Sequence, residues 1–191
     1  MNVALRRSMT LEDFLVWEAK QPDRYEFDGF QPVAMNGGTV AHATIGANLV
    51  IELGSRLRGK ACRAYGAGLK ILVAGRVRYP DAFVACSPIA NDSTWRTDPV
   101  VVFGVLSEST AIVDQTIKNA EYRATSSIQR YVMLSQQSIS ANVYERRGDQ
   151  WTGTLVTSLD AVIAMPELGI ELPLAALYDG LTFDVLKGVP G

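Results

Sequence analysis

The sequence predicts a mixed α/β fold (α+β) in which helices flank a mixed central β-sheet. Three observations carry that reading. Ile45, Leu49, Leu53 and Leu57 recur every four residues, the spacing of one helical face. Residues 99–106 (PVVVFGVL) are apolar on both strand faces, which marks a central strand covered on both sides. Helical and extended segments run in the order helix, hairpin, long helix, several strands, helix, several strands.

Thr10 can cap a helix whose first turn holds Glu12 and Asp13, charges that suit its positive end. Leu11, Phe14 and Leu15 then share a face, so a short amphipathic helix is expected over 11–20. Segments 24–28 and 30–35 flank Asp28-Gly29, a hairpin signal. Asn36-Gly37-Gly38 breaks the chain before a long helix over 39–58. Extended segments are expected at 62–66, 68–73 and 77–86, with a turn at Ala74-Gly75. Residues 87–98 read as a polar loop, 99–106 as the central strand, 107–110 as a turn and 112–125 as a helix. Strands follow at 130–135 and 140–146, then a turn at Gly148-Asp149 and a strand from Trp151. The rest is short apolar pieces broken by Pro166, Gly169, Pro173 and Gly180. No repeat or linker divides the chain, so one domain over 1–191 is expected, its core at 10–146 and a β-rich C-terminal extension at 147–191.

Composition bounds the chemistry. The chain has 191 residues, 48% of them hydrophobic and 20% charged, which is globular rather than disordered. A net charge of −2 supplies no global field toward nucleic acid or an anionic membrane, so a polyanion would have to be held by a local site. One histidine and two cysteines exclude a His-rich metal site and a zinc site built from four cysteines, or from two cysteines and two histidines, in one chain. Cys62 and Cys86 form no CxxC pair, so no disulfide framework is implied and a reducing cytoplasm is expected. Arg6 and Arg7 are not followed by an apolar stretch, so no secretory signal is expected. The longest apolar run, 99–106, falls well short of the ~20 residues needed to cross a bilayer. There is no GxGxxG, P-loop, HExxH or nucleophile elbow.

The remaining candidates are carboxylates and a lysine. On a strand over 77–86, Asp81 shares a face with Val77, Tyr79 and Phe83. A carboxylate on an apolar face is costly unless paired, protonated or bound to a cation. Asp81 thus reads either as a metal-binding or catalytic acid, or as an acid at a strand end paired with Lys70 or an arginine. Pro80 before it suggests an edge or a bulge. Glu26 alternates with Tyr25 and Phe27 and reads, taken alone, as a solvated strand residue; Lys70 between Leu69 and Ile71 reads as a surface lysine. Lys118 lies one helical turn from Asp114 and from Tyr122, where an Asp-to-Lys pair stabilises a helix by a few tenths of a kcal/mol. His42 opens the long helix, where a cap or a packed residue is the plainer role than a base. Arg56, Arg58, Lys60 and Arg63 form a basic stretch that suits phosphates or a helix C-terminus, and Arg76 and Arg78 precede Pro80-Asp81.

In combination these residues resemble the PD-(D/E)XK nuclease superfamily, and more closely its Uma-type putative restriction endonuclease family. The resemblance rests on six stretches in one order: MTLEDFLVWE at 9–18, RYEFDGFQPVAM at 24–35, His42 in VAHATIGANL, RYPDAFVAC at 78–86, VVVFGVLSEST at 100–110, and the helix bearing Asp114, Lys118 and Tyr122. It implies a restriction-endonuclease-like core, Mg²⁺- or Mn²⁺-dependent phosphodiester hydrolysis, and DNA as a partner through a local site. Glu26 matches the family's glutamate in the first hairpin and Asp81 the acid of the Pro-Asp motif, both metal ligands by that implication, with Lys118 as a charge stabiliser. The apolar strand departs from the family pattern. Gly104 stands in place of the second metal-binding carboxylate, and Glu108 stands where a proline is usual. Glu108 shares the strand parity of position 104, yet four residues of strand span about 13 Å. The expectation is therefore an endonuclease with an impaired metal site, the alternative being a non-catalytic binding or assembly module on the same fold. A homodimer built on the apolar tail of 151–191 is a further expectation.

Overall fold

A computed structural model of the chain describes residues 8–35, 37–107 and 114–183. Helix α1 (Leu11–Glu18) starts at its expected cap, where Thr10 Oγ1 accepts from the Asp13 amide at 3.1 Å. Its Phe14 stacks on Phe27, ring centroids 5.0 Å apart, in a small cluster with Val77 and Tyr79. Strands β1 (Tyr25–Phe27) and β2 (Pro32–Ala34) form the predicted hairpin. Asp28 Oδ1 accepts from the amides of Phe30 and Gln31, and Gly29 takes a φ of +93° that a side chain would resist. Helix α2 (Val40–Leu57) is capped by Thr39 and buries Ile45, Leu49, Leu53 and Leu57, as the four-residue spacing predicts. Each such side chain contributes roughly 1.5–3 kcal/mol by leaving water.

Strands β3 (Arg63–Gly66), β4 (Lys70–Val73), β5 (Arg76–Arg78), β6 (Ala82–Ala85), β7 (Trp95–Arg96) and β8 (Val101–Leu106) follow. A π-helical turn, Asp114–Lys118, leads into α3 (Asn119–Ala124). The chain continues as β9 (Arg130–Ser135), β10 (Ala141–Arg147), β11 (Gln150–Val156), β12 (Val162–Met165), β13 (Ile170–Pro173) and α4 (Leu174–Leu177). One sheet has the order β2-β1-β5-β4-β7, a second β11-β10-β9-β8-β6-β3, and β12 pairs with β13. Pairing is antiparallel except for β4 with β7 and β8 with β9.

Three expectations are corrected here. The single strand over 77–86 is two strands in different sheets, broken at Tyr79-Pro80-Asp81. Pro80 has no N–H to continue the ladder, so the chain changes sheets there. The polar loop 87–98 contains β7, because Arg96, only 1% exposed, anchors it through Asp98 and the carbonyl of Ser87. Cys62 and Cys86 are joined in a disulfide rather than kept as thiols. Arg63 pairs with Ala85 in the β3–β6 ladder, so the preceding and following residues stand directly opposite, Cα atoms 3.8 Å apart. A separation of 24 residues hides this from the sequence.

The C-terminal segments complete the main core. Ile163, Met165, Leu172, Leu174 and Leu177 pack in the same cluster as the α2 stripe, Val101 and Phe103. Much of the basic stretch at the end of α2 serves this closure. Arg56 donates to the carbonyl of Glu171 at 2.7 Å and Lys60 to that of Gly169 at 2.6 Å.

Reduction of the Cys62–Cys86 link, or Cys62→Ser with Cys86→Ser, is expected to cost about 3.5 kcal/mol by the loop-entropy relation. A fall in the urea midpoint reads it; two titratable thiols in the unreduced, unfolded protein would refute the pairing.

Candidate active site

The sheet change at Pro80 builds one wall of the site. Ala82 pairs with Phe103, so Asp81, one residue earlier, stands across from Gly104 on β8. Asp81 Oδ2 accepts from the Val105 amide at 2.6 Å, and Oδ1 lies 2.7 Å from Nε2 of His42 at the start of α2. Among the readings open for Asp81, the pairing with Lys70 is not the one made. The side chain keeps 21% exposure.

Strand β1 supplies the facing acid. Glu26 is buried at 8% exposure, contrary to the solvated position expected, because both faces of β1 are covered. Phe27 packs toward α1 while Glu26 faces the π-helical turn and α3. Its Oε1 accepts from the Tyr79 amide at 3.1 Å, and Lys118 Nζ lies 3.1 Å from each carboxylate oxygen. Arg78 donates to Oε2 at 3.3 Å and grips Glu121 with two bonds of 2.7 and 2.6 Å. Burial works against the charge on Arg78, yet the bonds to Glu121 and the charge of Glu26 hold its pKa above the usual arginine value. Lys118 thus answers Glu26 across the fold; the helical Asp114–Lys118 spacing is altered by the π-helical turn, and the side chain of Asp114 lies outside the described residues, as does Glu108.

Behind this pair is a second buried set. Lys70 is 7% exposed rather than at the surface, and its Nζ meets Glu18 Oε2 at 2.5 Å. The Tyr79 hydroxyl donates to Glu18 Oε1 at 2.6 Å. Burial and that bond push the Tyr79 pKa well above its ordinary value.

Glu26, His42, Asp81, Gly104, Lys118 and Tyr131 all line one cavity of about 850 Å³. The residues expected to carry chemistry therefore share one space. Gly104 does not leave an empty gap. A Cβ built there would sit 3.3 Å from the Tyr131 hydroxyl oxygen, and Tyr131 is 1% exposed and braced edge-on by Tyr122.

These residues, as arranged, do not fit a two-carboxylate Mg²⁺ site. Glu26 is already flanked by Lys118 and Arg78, two cations that would repel a divalent ion. Asp81 has one oxygen on an imidazole and the other on a backbone amide, and position 104 offers no ligand. Among the described residues, no three His, Cys, Asp or Glu side chains gather as a metal-holding group. Sequence reasoning did not attach His42 to Asp81, and it gave no role to Tyr131, Glu121 or Glu18. His42 and Glu18 stood within the stretches that carry the family resemblance, while Tyr131 and Glu121 look like ordinary strand and helix residues.

The mixed sheets flanked by helices match the fold of a solved nuclease-like protein. A solved structure from Anabaena variabilis, titled a putative nuclease belonging to DUF820, matches it with a TM-score of 0.74 at 18% identity, covering 89% of this chain and 97% of that one. The chain belongs to the Uma2 family, described as "Putative restriction endonuclease", whose model matches residues 11–175. Two uncharacterised proteins of Synechocystis sp. are similar over most of their length. One is 30% identical over 176 residues, 90% of this chain and 92% of its own; the other is 25% identical over 169 residues, 85% and 96%. No helix among the described residues is long and apolar enough to cross a membrane.

Lys70→Met is expected to destabilise the fold by about 3–5 kcal/mol, since it strands the Glu18 carboxylate in the interior. The double variant Lys70→Met/Glu18→Gln should recover part of that loss in a urea cycle, and simple additivity would deny the pairing. The raised Tyr79 pKa gives a pH signature: its folded value exceeds the unfolded one near 10, so this stabilisation is complete below pH 10 and declines as pH rises. Tyr79→Phe should flatten the alkaline arm of a stability–pH curve, and an unchanged arm would assign it to other groups.

Proposed function

We propose that this chain is an endonuclease-family protein whose metal-dependent centre is impaired. Restriction-endonuclease-like families generally use divalent metals, so the reaction at issue is phosphodiester hydrolysis with Mg²⁺ or Mn²⁺. When bound, such an ion polarises the phosphate and activates water. The observation that supports impairment is Gly104, opposite Asp81, with the Tyr131 hydroxyl 3.3 Å from where its side chain would begin.

In this reading Asp81 is the remaining carboxylate at the metal position, held by His42 and the Val105 amide. Lys118 is the cation that a phosphate entering the cavity meets, and Glu26 positions its ammonium. DNA contact is local to the cavity. Arg56 and Lys60 bond to backbone carbonyls, Arg78 to carboxylates, and the net charge of −2 adds no long-range pull. The same glycine also favours the alternative of a non-catalytic binding module on this fold.

Supercoiled plasmid incubated with millimolar Mg²⁺ or Mn²⁺ should show no nicking above that of Asp81→Ala, and calorimetry should show no Mn²⁺ binding at millimolar ion. Metal-dependent cleavage abolished by Asp81→Ala would overturn the proposal. Gly104→Glu with Tyr131→Phe restores a carboxylate and removes the oxygen in its way, and is expected to gain measurable Mn²⁺ binding.

A further inference from the structure

Strand β11 ends the six-stranded sheet and has no neighbour on its outer side among the described residues. It is seven residues long, and its ladder with β10 runs without a bulge from Arg147↔Gln150 to Ala141↔Val156. Exposed sheet edges are normally shielded by lysine, proline, a bulge or brevity. The segment QWTGTLV has none of these, and residues 150–158 carry no charge at all. The opposite edge, β3, has only four residues, opens with Arg63 and follows directly on the disulfide cysteine.

Side chains of β10 pack closely against β11. Tyr144, paired with Gly153, lies so close that a Cβ at 153 would sit 3.0 Å from its ring. The Arg146 guanidinium stacks 4.7 Å above the Trp151 ring. Leu155 is nevertheless 63% exposed, and Leu159 and Val162 beyond it are 46% and 49% exposed.

The turn sets which groups point outward. Arg147 and Gln150 close a two-residue hairpin whose first turn residue, Gly148, has φ +62°. Alternate pairs then exchange ladder bonds, so residues 150, 152, 154 and 156 bond inward to β10. Trp151, Gly153 and Leu155 turn their N–H and C=O groups away from the sheet.

We infer that a second copy of this chain pairs antiparallel along β11, about a two-fold axis at Gly153. The outward residues are symmetric about that position, so 151 meets 155, 153 meets 153, and every outward donor finds an acceptor. Trp151 then faces Leu155, Thr152 faces Thr154, and no charge opposes a like charge. A two-fold contact requires this self-complementarity of one patch, which a strand evolved for a different partner does not need. The small net charge of −2 opposes the association little. Pairing would also bring the exposed Leu155 toward the partner.

Light scattering at about 100 µM tests it. The wild-type chain should show twice the 20.8 kDa monomer mass. Thr152→Lys/Thr154→Lys sets lysine against lysine across the axis and should give a monomer, while Thr152→Lys/Thr154→Glu sets opposite charges there and should stay dimeric. Both positions are exposed, and circular dichroism checks the fold of each variant. Thr152→Cys/Thr154→Cys should give an oxidation-dependent dimer on a denaturing gel, which does not depend on how the charged variants behave. A monomeric wild type, a Lys/Lys variant that stays dimeric, or failure of the cysteine pair to cross-link would each overturn the assignment.

Discussion

One constraint organises this molecule: the chain cannot extend a β-ladder through Pro80. The strand that begins at Arg76 in the first sheet must stop, and the chain resumes at Ala82 in the second. Several contacts near the cavity follow from that step. Arg78 is left facing Glu26 and Glu121, Tyr79 reaches back to Glu18, and Asp81 is delivered to the start of β6 opposite β8. Without the step, Asp81 would lie within one continuous ladder and the two acids would not face a common space.

The electrostatic pattern around the cavity is one of compensation. Every strongly buried charge named here has an opposite charge within hydrogen-bonding reach: Glu18 with Lys70, Arg78 with Glu121, Glu26 with Lys118. Such pairs tolerate burial because each partner replaces the other's lost water. The same neutralisation lowers the attraction of the site for a divalent cation, which needs uncompensated oxygens. Tyr131 contributes in a different way, by putting a hydroxyl against the bare backbone of Gly104. Among the described residues, the charges that face the cavity are thus largely paired, which leaves little free negative charge.

Local rules made the helices and most strands legible. The Ile45–Leu49–Leu53–Leu57 stripe, the Thr10 cap and the Asp28-Gly29 turn each depend on residues near one another in sequence, and each was read within a few residues. The acids of the site were legible too, through the ordered motifs, although not their surroundings. Glu26 and Lys70 looked solvent-facing because strand alternation describes one sheet face and says nothing about what covers the other. The Cys62–Cys86 link, the Arg96 anchor of β7 and the His42–Asp81 contact depend on register between distant segments, which no local pattern encodes.

Tyr178 sits at the far end of the described chain. Its hydroxyl lies 2.9 Å from the Ser135 carbonyl and 2.7 Å from that of Ser140, the two ends of the β9–β10 turn. Gln136 in that turn accepts from Thr39, the cap of α2, and both residues line the cavity. The rim of the site therefore borrows its rigidity from a tyrosine some forty residues downstream. Amide protons at 135–140 should exchange with solvent only as often as the C-terminal segment lets go, which makes local exchange at the rim a report on the docking of the tail.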